Sequence, residues 1–362
     1  MLARSTGIVA ICLASSLVIG APAWGTPSGD YGPPARQCTI TDPQVDELSG
    51  LAALPEADVL LVEDSTPEPQ PGSTTILMYR LDAACAVQGS VSEFAQDPRD
   101  IEDLAFADNT IWFADIGDNG ADRDTIALIT VAYDPADPQA AVEAPQIFRL
   151  VYPDGPHDAE ALLLAPDGIP YITTKDPLGQ SGVYRPAAAL DPAAEVLMEK
   201  VADLTFTMTG TPGGPVGRAG QLLVTGGSVS ADGSRIALRT YTDAYVWALA
   251  GSDVAVALQA EPVAVIALPD APQGEAIAFA PGSHNLLVGS EGVNSVITVI
   301  PDAAAGTDSA EPTAASETAA APFTGSPTDS GAPAVTVVAG VIAAVVVTGL
   351  IWLVLRLRRR GS

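Results

Sequence analysis

Four glutamates recur along this chain at nearly even spacing, and they are the residues through which it could do chemistry. Glu47, Glu102, Glu160 and Glu275 lie in related segments: Asp46-Glu-Leu-Ser-Gly-Leu-Ala52, Asp100-Ile-Glu-Asp-Leu-Ala-Phe106, Asp158-Ala-Glu-Ala-Leu-Leu-Leu164 and Gly274-Glu-Ala-Ile-Ala-Phe279. Their separations are 55, 58 and 115 residues, the last being twice 57.5. Near them stand Asp103, Asp115, Asp118, Asp158 and Glu291, with Lys175, Arg239 and Arg123 as the cations. Carboxylates and carbonyls together are a calcium ligand set. Lysine and arginine beside them would read a ligand. The same groups can equally serve as internal ties, since buried charge is tolerated when it is paired. The most polar turn, Asp115-Ile-Gly-Asp-Asn-Gly-Ala-Asp-Arg-Asp124, supplies Asp115 and Asp118, and with Asp158 from the third glutamate segment these are the expected metal ligands, with calcium the suited ion. It departs from the EF-hand pattern, which needs an oxygen ligand at the third position and Glu at the twelfth; here these are Gly117 and Ile126.

Composition narrows the alternatives. The chain has 362 residues and a formal charge of −28, which argues against nucleic-acid binding, because phosphate recognition needs clustered Lys and Arg. Hydrophobic residues make up 48%, too many for a wholly disordered acidic chain. There is no Gly-x-Ser-x-Gly elbow, no His-Glu-x-x-His and no phosphate-binding glycine loop. His157 and His284 are the two histidines, and neither sits in a recognisable catalytic pattern. Metal-assisted hydrolysis by carboxylate ligands is the enzymatic design that the composition supports.

The elements that must position these residues read as β-strands. From about residue 36 to 300, short β-branched and aromatic runs alternate with Gly, Pro, Asp and Asn, and no stretch sustains a helical period. Each glutamate segment is followed by a turn and a second run: Val59 to Glu63, Thr110 to Ala114, Pro170 to Thr174 and Asn285 to Gly289. A degenerate copy, Val224 to Ser230 followed by Arg235 to Leu238, fills the doubled interval without the acid. Four antiparallel strands recurring at this period predict an all-β propeller, with five blades favoured and six the alternative. Gln37 to Thr41 would complete the last blade and close the ring. Cys38 on that strand and Cys85 in the first blade are then expected to form a disulfide outside the cell. Hairpin geometry returns a second strand to the end where the first began. Glu47, Glu102, Asp103, Asp115, Asp118, Asp158, Glu160, Glu275 and Glu291 are therefore expected at one rim of the central channel, facing Lys175, Arg239 and Arg123.

Several runs resemble a widespread group of secreted bacterial β-propellers, loosely phytase-like or lactonase-like and of actinobacterial type. They are Asp-Ile-Glu-Asp-Leu-Ala with Asp115-Ile-Gly-Asp-Asn119, Tyr152-Pro-Asp-Gly-Pro-His-Asp-Ala-Glu-Ala161, Thr174-Lys175, Ser234-Arg-Ile-Ala-Leu-Arg-Thr-Tyr-Thr-Asp-Ala-Tyr245 and Gln273-Gly-Glu-Ala. The resemblance covers roughly residues 40 to 300 and implies the fold more than an activity. The Asn-Phe-Asp-Val-Arg-Tyr-Gly signature of calcium phytases does not occur here.

The ends carry an address. Arg4, an apolar run from Gly7 to Gly20 and Ala21-Pro-Ala23 read as a signal peptide over residues 1–23. Residues 301–333, rich in Ala, Pro, Ser and Thr, read as a disordered stalk. Residues 334–355 are uncharged and would span roughly 33 Å as a helix, enough for a membrane core of about 30 Å. The arginines of the 356–362 tail place that tail in the cytoplasm and the propeller outside, a single-pass type I arrangement. Pro322-Phe-Thr-Gly325 resembles a cell-wall sorting signal cut after Thr324, with Ala321 where Leu is expected. Removing Arg4 and the four tail arginines leaves 44 acids against 11 bases outside the membrane. The expected function is a binding module for a protein, glycan or small ligand. The alternative is a calcium- or other metal-dependent hydrolase of the lactonase or phosphoesterase kind.

Overall fold

The computed structural model describes residues 31–55, 58–63, 76–91, 98–137 and 144–303. The signal peptide, nearly all of the stalk, Thr324, the apolar run at 334–355 and the basic tail lie outside the described residues. Among the described residues, no helix is long and apolar enough to cross a membrane.

The chain opens with β1 (Ala35–Thr39) and then forms β2 (Leu48–Ala53), β3 (Val59–Glu63), β4 (Met78–Leu81) and β5 (Val87–Val91). A second set follows as β6 (Ile101–Ala107), β7 (Thr110–Asp115), β8 (Ile126–Ala132) and β9 (Gln146–Val151). The third set is β10 (Ala159–Leu164), β11 (Pro170–Thr174), β12 (Gln180–Pro186) and β13 (Val196–Thr205). The fourth is β14 (Val224–Val229), β15 (Arg235–Thr240), β16 (Asp243–Ala248) and, after the short helix α1 (Val254–Leu258), β17 (Ala264–Ala267). The last is β18 (Ile277–Phe279), β19 (Leu286–Val288) and β20 (Val296–Ile300).

Within each set the strands pair antiparallel in sequence order, and β1 pairs with β20 to complete the last sheet. The second and third sets join edge to edge through a short parallel contact, Leu150 opposite Val196 and Val151 opposite Leu197, into one eight-stranded sheet. The first strands touch in a closed cycle, β2 to β6 to β10 to β14 to β18 and back to β2. This is a β-propeller built from the repeat that the glutamates mark. The degenerate copy forms β14 and β15, and the N-terminal strand closes the ring as its pattern requires.

Packing follows the same cycle, because each sheet buries one face against the next. Leu60 and Met78 meet Leu104 and Phe113. Leu128 and Phe148 meet Leu162 and Tyr184, and Tyr171 and Val183 meet Leu238 and Trp247. Val246 and Ile266 meet Ile277 and Leu286, while Leu287 and Ile297 meet Leu48 and Leu61. Each such side chain contributes about 1.5–3 kcal/mol on full burial, so these seams hold the ring together. At Gly226 the inner backbones come so close that only glycine fits. A Cβ on Gly226 would lie 2.6 Å from the Glu275 carbonyl oxygen. Gly226→Ala should therefore cost about 1–3 kcal/mol in urea unfolding.

Cys38 and Cys85 form the expected disulfide, with their Cα atoms 5.7 Å apart and a sequence separation of 47. It fastens the closing strand to the β4–β5 turn, at the seam where the ring begins and ends. Closing a loop of that length removes about 4 kcal/mol of unfolded-state entropy. The Cys38→Ser/Cys85→Ser double variant should lose stability of that order, read as a lowered urea midpoint.

Candidate functional site: a polar rim at one end of the channel

The residues at the rim are aimed by a repeated backbone irregularity. In β2, β6, β10 and β14 the pairing slips between Leu48 and Gly50, Ile101 and Asp103, Ala159 and Ala161, and Val224 and Gly226. Each slip is a β-bulge, which re-aims the extra residue. The bulged residues are Ser49, Glu102, Glu160 and Thr225, and the repeat alignment places Glu275 at the same point just before β18. The first copy differs from the sequence expectation, because Ser49 and not Glu47 holds the repeat position. Glu47 lies two residues earlier and half-buried, with its N–H donating to Glu63 Oε2 at 3.2 Å.

Across from the bulges stand the residues that follow the buried ends of the second strands. Ala159 pairs with Thr174 and Val224 with Thr240, so Lys175 and Tyr241 occupy matching places, and Glu291 follows Ser290 in the same way. The sequence pattern does not single out Tyr241: it ends the second strand at Arg239, two residues too early, because β15 continues through the polar residues Arg239 and Thr240. Together Glu160, Lys175, Tyr241, Glu275 and Glu291 make one cluster, with Glu160, Tyr241 and Glu275 buried and Lys175 and Glu291 half-buried. Lys175 Nζ donates to Glu160 Oε1 and lies 5.2 Å from the centre of the Tyr241 ring. Glu160 and Glu275 are 3% and 4% exposed. In each, Oε2 is buried and has no hydrogen-bond partner among the described residues.

Burial dominates the electrostatics. It raises Glu160 well above the usual carboxylate range, the nearby Glu275 charge adds to this, and Lys175 pulls against them. Glu275 is raised by burial against Lys175 and Arg239. Glu291 is pushed up to about 8 by burial and then by Glu275 and Glu47. For Lys175, burial would lower the ammonium, but Glu160, Tyr241 and Glu275 outweigh it and hold it raised. The cluster thus holds one firm cation among carboxyl groups that burial shifts upward.

Other expected site residues act as ties. Arg239 is fully buried and donates to the Ala276 carbonyl at 2.8 Å and the Gly289 carbonyl at 2.9 Å, joining the fourth sheet to the last. It is not free to read a ligand. Asp103 joins three inner strands, accepting from Leu162 N at 2.8 Å and Gly227 N at 3.2 Å as well as its neighbour Leu104 N at 2.8 Å. Glu102 is buried against Gly117, where a Cβ would collide with its carboxylate.

The expected metal ligands are also occupied. Asp115 Oδ1 pairs with Arg123 at 2.9 Å and accepts from Asp100 N at 3.0 Å. Asp118 accepts from Asp122 N and Arg123 N, capping its own turn, and its N–H donates to Asp158 Oδ1 at 2.8 Å. Among the described residues, no three His, Cys, Asp or Glu side chains come together as metal ligands. Asp115, Asp118 and Asp158, the expected calcium ligands, are held here by other partners. These carboxylates face N–H groups and a guanidinium, which already satisfy them. His157 contacts Asp154 and Tyr184 at 3.0 and 3.1 Å, within an aromatic cluster that includes Tyr152.

No family model and no curated protein sequence matches the chain. Solved structures similar to it include the PQQ-bound aldose sugar dehydrogenase of Streptomyces coelicolor, at 12% identity and a TM-score of 0.39 over 76% of this chain and 99% of that one. An α-L-arabinanase from Penicillium chrysogenum is similar at 11% identity and a TM-score of 0.42, over 75% and 99%. A gluconolactonase from Xanthomonas campestris is similar at 14% identity and a TM-score of 0.35, over 76% and 99%. At these scores no activity carries across to this chain.

The raised carboxyls have a measurable consequence. Glu63, which accepts from Asp46 N and Glu47 N, is pushed to about 7 by burial, and Glu291 to about 8, from an ordinary value of 4.5. The folded state holds these protons more tightly than the unfolded chain. Their stabilisation is therefore complete below about pH 4.5 and is lost as pH rises through 7 and 8. The melting temperature should fall between pH 5 and 8.5, and Glu63→Gln and Glu291→Gln should each flatten that fall.

Proposed function

We propose that this chain is a five-bladed β-propeller, displayed outside the cell on a single-pass membrane anchor, that binds a ligand at its polar rim. One observation carries the binding reading: the buried Oε2 atoms of Glu160 and Glu275 have no partner at a site holding one lysine. A buried acceptor left unpaired costs about 1–3 kcal/mol, and a ligand that supplies the hydrogen bond recovers it. The ligand class is therefore one that donates hydrogen bonds, such as a sugar, another polyol or an amine. The five blades are supported by the closed cycle of first strands and by the apolar seam between each neighbouring pair of sheets.

The alternative, a calcium- or other metal-dependent hydrolase of the lactonase or phosphoesterase kind, rests on the same rim. The observation in its favour is the Glu160 carboxyl beside Lys175, which burial shifts upward, the direction that suits a general acid. Titration calorimetry of the full chain with sugars, polyols and amines is the test. At least one class should bind saturably, and Glu160→Gln and Glu275→Gln should each weaken it about tenfold, as expected for a lost charge-assisted hydrogen bond. Ligands that bind equally well to both variants would remove the rim as the site. Hydrolysis of ester, lactone or phosphate substrates that disappears in Glu160→Gln, together with a calcium-dependent rise in melting temperature, would favour the alternative.

A further inference from the structure

The end of the channel opposite the polar rim holds a cavity of about 700 Å3. That is a volume typical of small-molecule sites. Leu51, Leu104 and Leu162 line its depth below the Asp103 tie, and Phe106, Trp112 and Phe279 line its sides. Two carboxylates, Asp108 and Asp232, are the only ionisable groups among the described residues that line it. Both sit in hairpin turns at the strand ends, hence at the mouth. No lysine, arginine or histidine lines the cavity, and none of the rim residues reaches it.

We propose that this cavity binds a small organic ammonium ion, with its aromatic or aliphatic body against the leucines and its charge among the aromatic faces and mouth carboxylates. The faces of Phe and Trp attract cations, more strongly where water is excluded. The leucine walls favour an apolar body over a bare metal ion, which would have to shed its hydration with no oxygen ligands in return. An anion of the same size is repelled by Asp108 and Asp232 and by the overall field of a chain of charge −28. Asp232 stays ionised, since hydrogen bonds from Ser230, Ser234 and His284 outweigh burial and hold its carboxyl below the usual range. A polyol, the kind of ligand suited to the rim, would find few partners here.

Benzyltrimethylammonium, benzyl alcohol and benzoate present one apolar body with three charges. Titration calorimetry of the full chain should show saturable binding of one benzyltrimethylammonium, about fivefold or more tighter than benzyl alcohol, with benzoate weakest. Asp108→Asn should reduce the ammonium preference several-fold and leave benzyl alcohol unchanged. Ala53→Trp fills the cavity from its wall and should abolish binding. Ala107→Trp fills it nearer the mouth and serves if the first variant has a lowered melting temperature. Glu160→Gln at the far rim should change nothing, which separates this site from the one proposed there. Absence of saturable binding, benzoate binding as tightly as the ammonium, or folded filled variants that bind like the parent would each overturn the proposal.

Discussion

The propeller depends on how its innermost strands are satisfied where they face one another instead of a ladder partner. Each first strand is an edge, and its axis-facing N–H groups need acceptors that a neighbouring sheet, packed face to face, does not offer. Asp103 supplies one solution. Its fully buried carboxylate takes N–H groups from β6, β10 and β14 at once. Burial raises its carboxyl, and the three backbone donors pull it back. At the matching register the other copies carry Gly50, Ala161, Gly226 and Ala276, so the axis has room for this one side chain. The small residues and the single carboxylate form one arrangement. A Cβ on Gly50 would already lie 2.8 Å from Leu104 N.

That tie divides the channel into two environments of opposite chemistry. On one side the bulges turn Glu160 and the Glu275 position toward Lys175 and Tyr241. On the other the strands continue without irregularity, and leucines and aromatics line the space. The division follows from strand direction, because every first strand begins at the polar end and the turn between each first and second strand lies at the apolar end. Much of the remaining charge is spent in joining sheets and turns. Arg239 reaches carbonyls of the next sheet, Arg123 pairs with Asp115, and Glu63 caps the approach to β2.

The architecture was largely legible in the sequence. Val59–Glu63 and Pro170–Thr174 form strands with the bounds that their β-branched runs and flanking turns suggest. The closing strand was also legible, because the fifth copy lacks a fourth apolar run and the N-terminal one has no other partner. The rim was legible as a place but not as a list of atoms. Glu47 matches the repeat by spacing, yet the bulge gives its position to Ser49. Arg239 follows the run Arg235 to Leu238, yet β15 extends to Thr240, so Tyr241 is the residue that meets Lys175. Arg239 and Thr240 continue the strand as polar residues, which a hydrophobic pattern does not count.

The sequence by itself determined the strands, their order, the direction in which each runs and the end of the channel where the glutamates gather. These follow from alternation, turn residues and repeat length, which act between neighbours along the chain. Tertiary structure alone decided which polar atoms meet. Asp103 finds donors 59 and 124 residues away, and Arg239 finds carbonyls 37 and 50 residues away. A hydrogen bond is made or lost within a few tenths of an ångström. Only the closed ring, with its bulges and close-packed glycines, sets distances that finely. It is there that some carboxylates become ties while Glu160 and Glu275 keep an oxygen free.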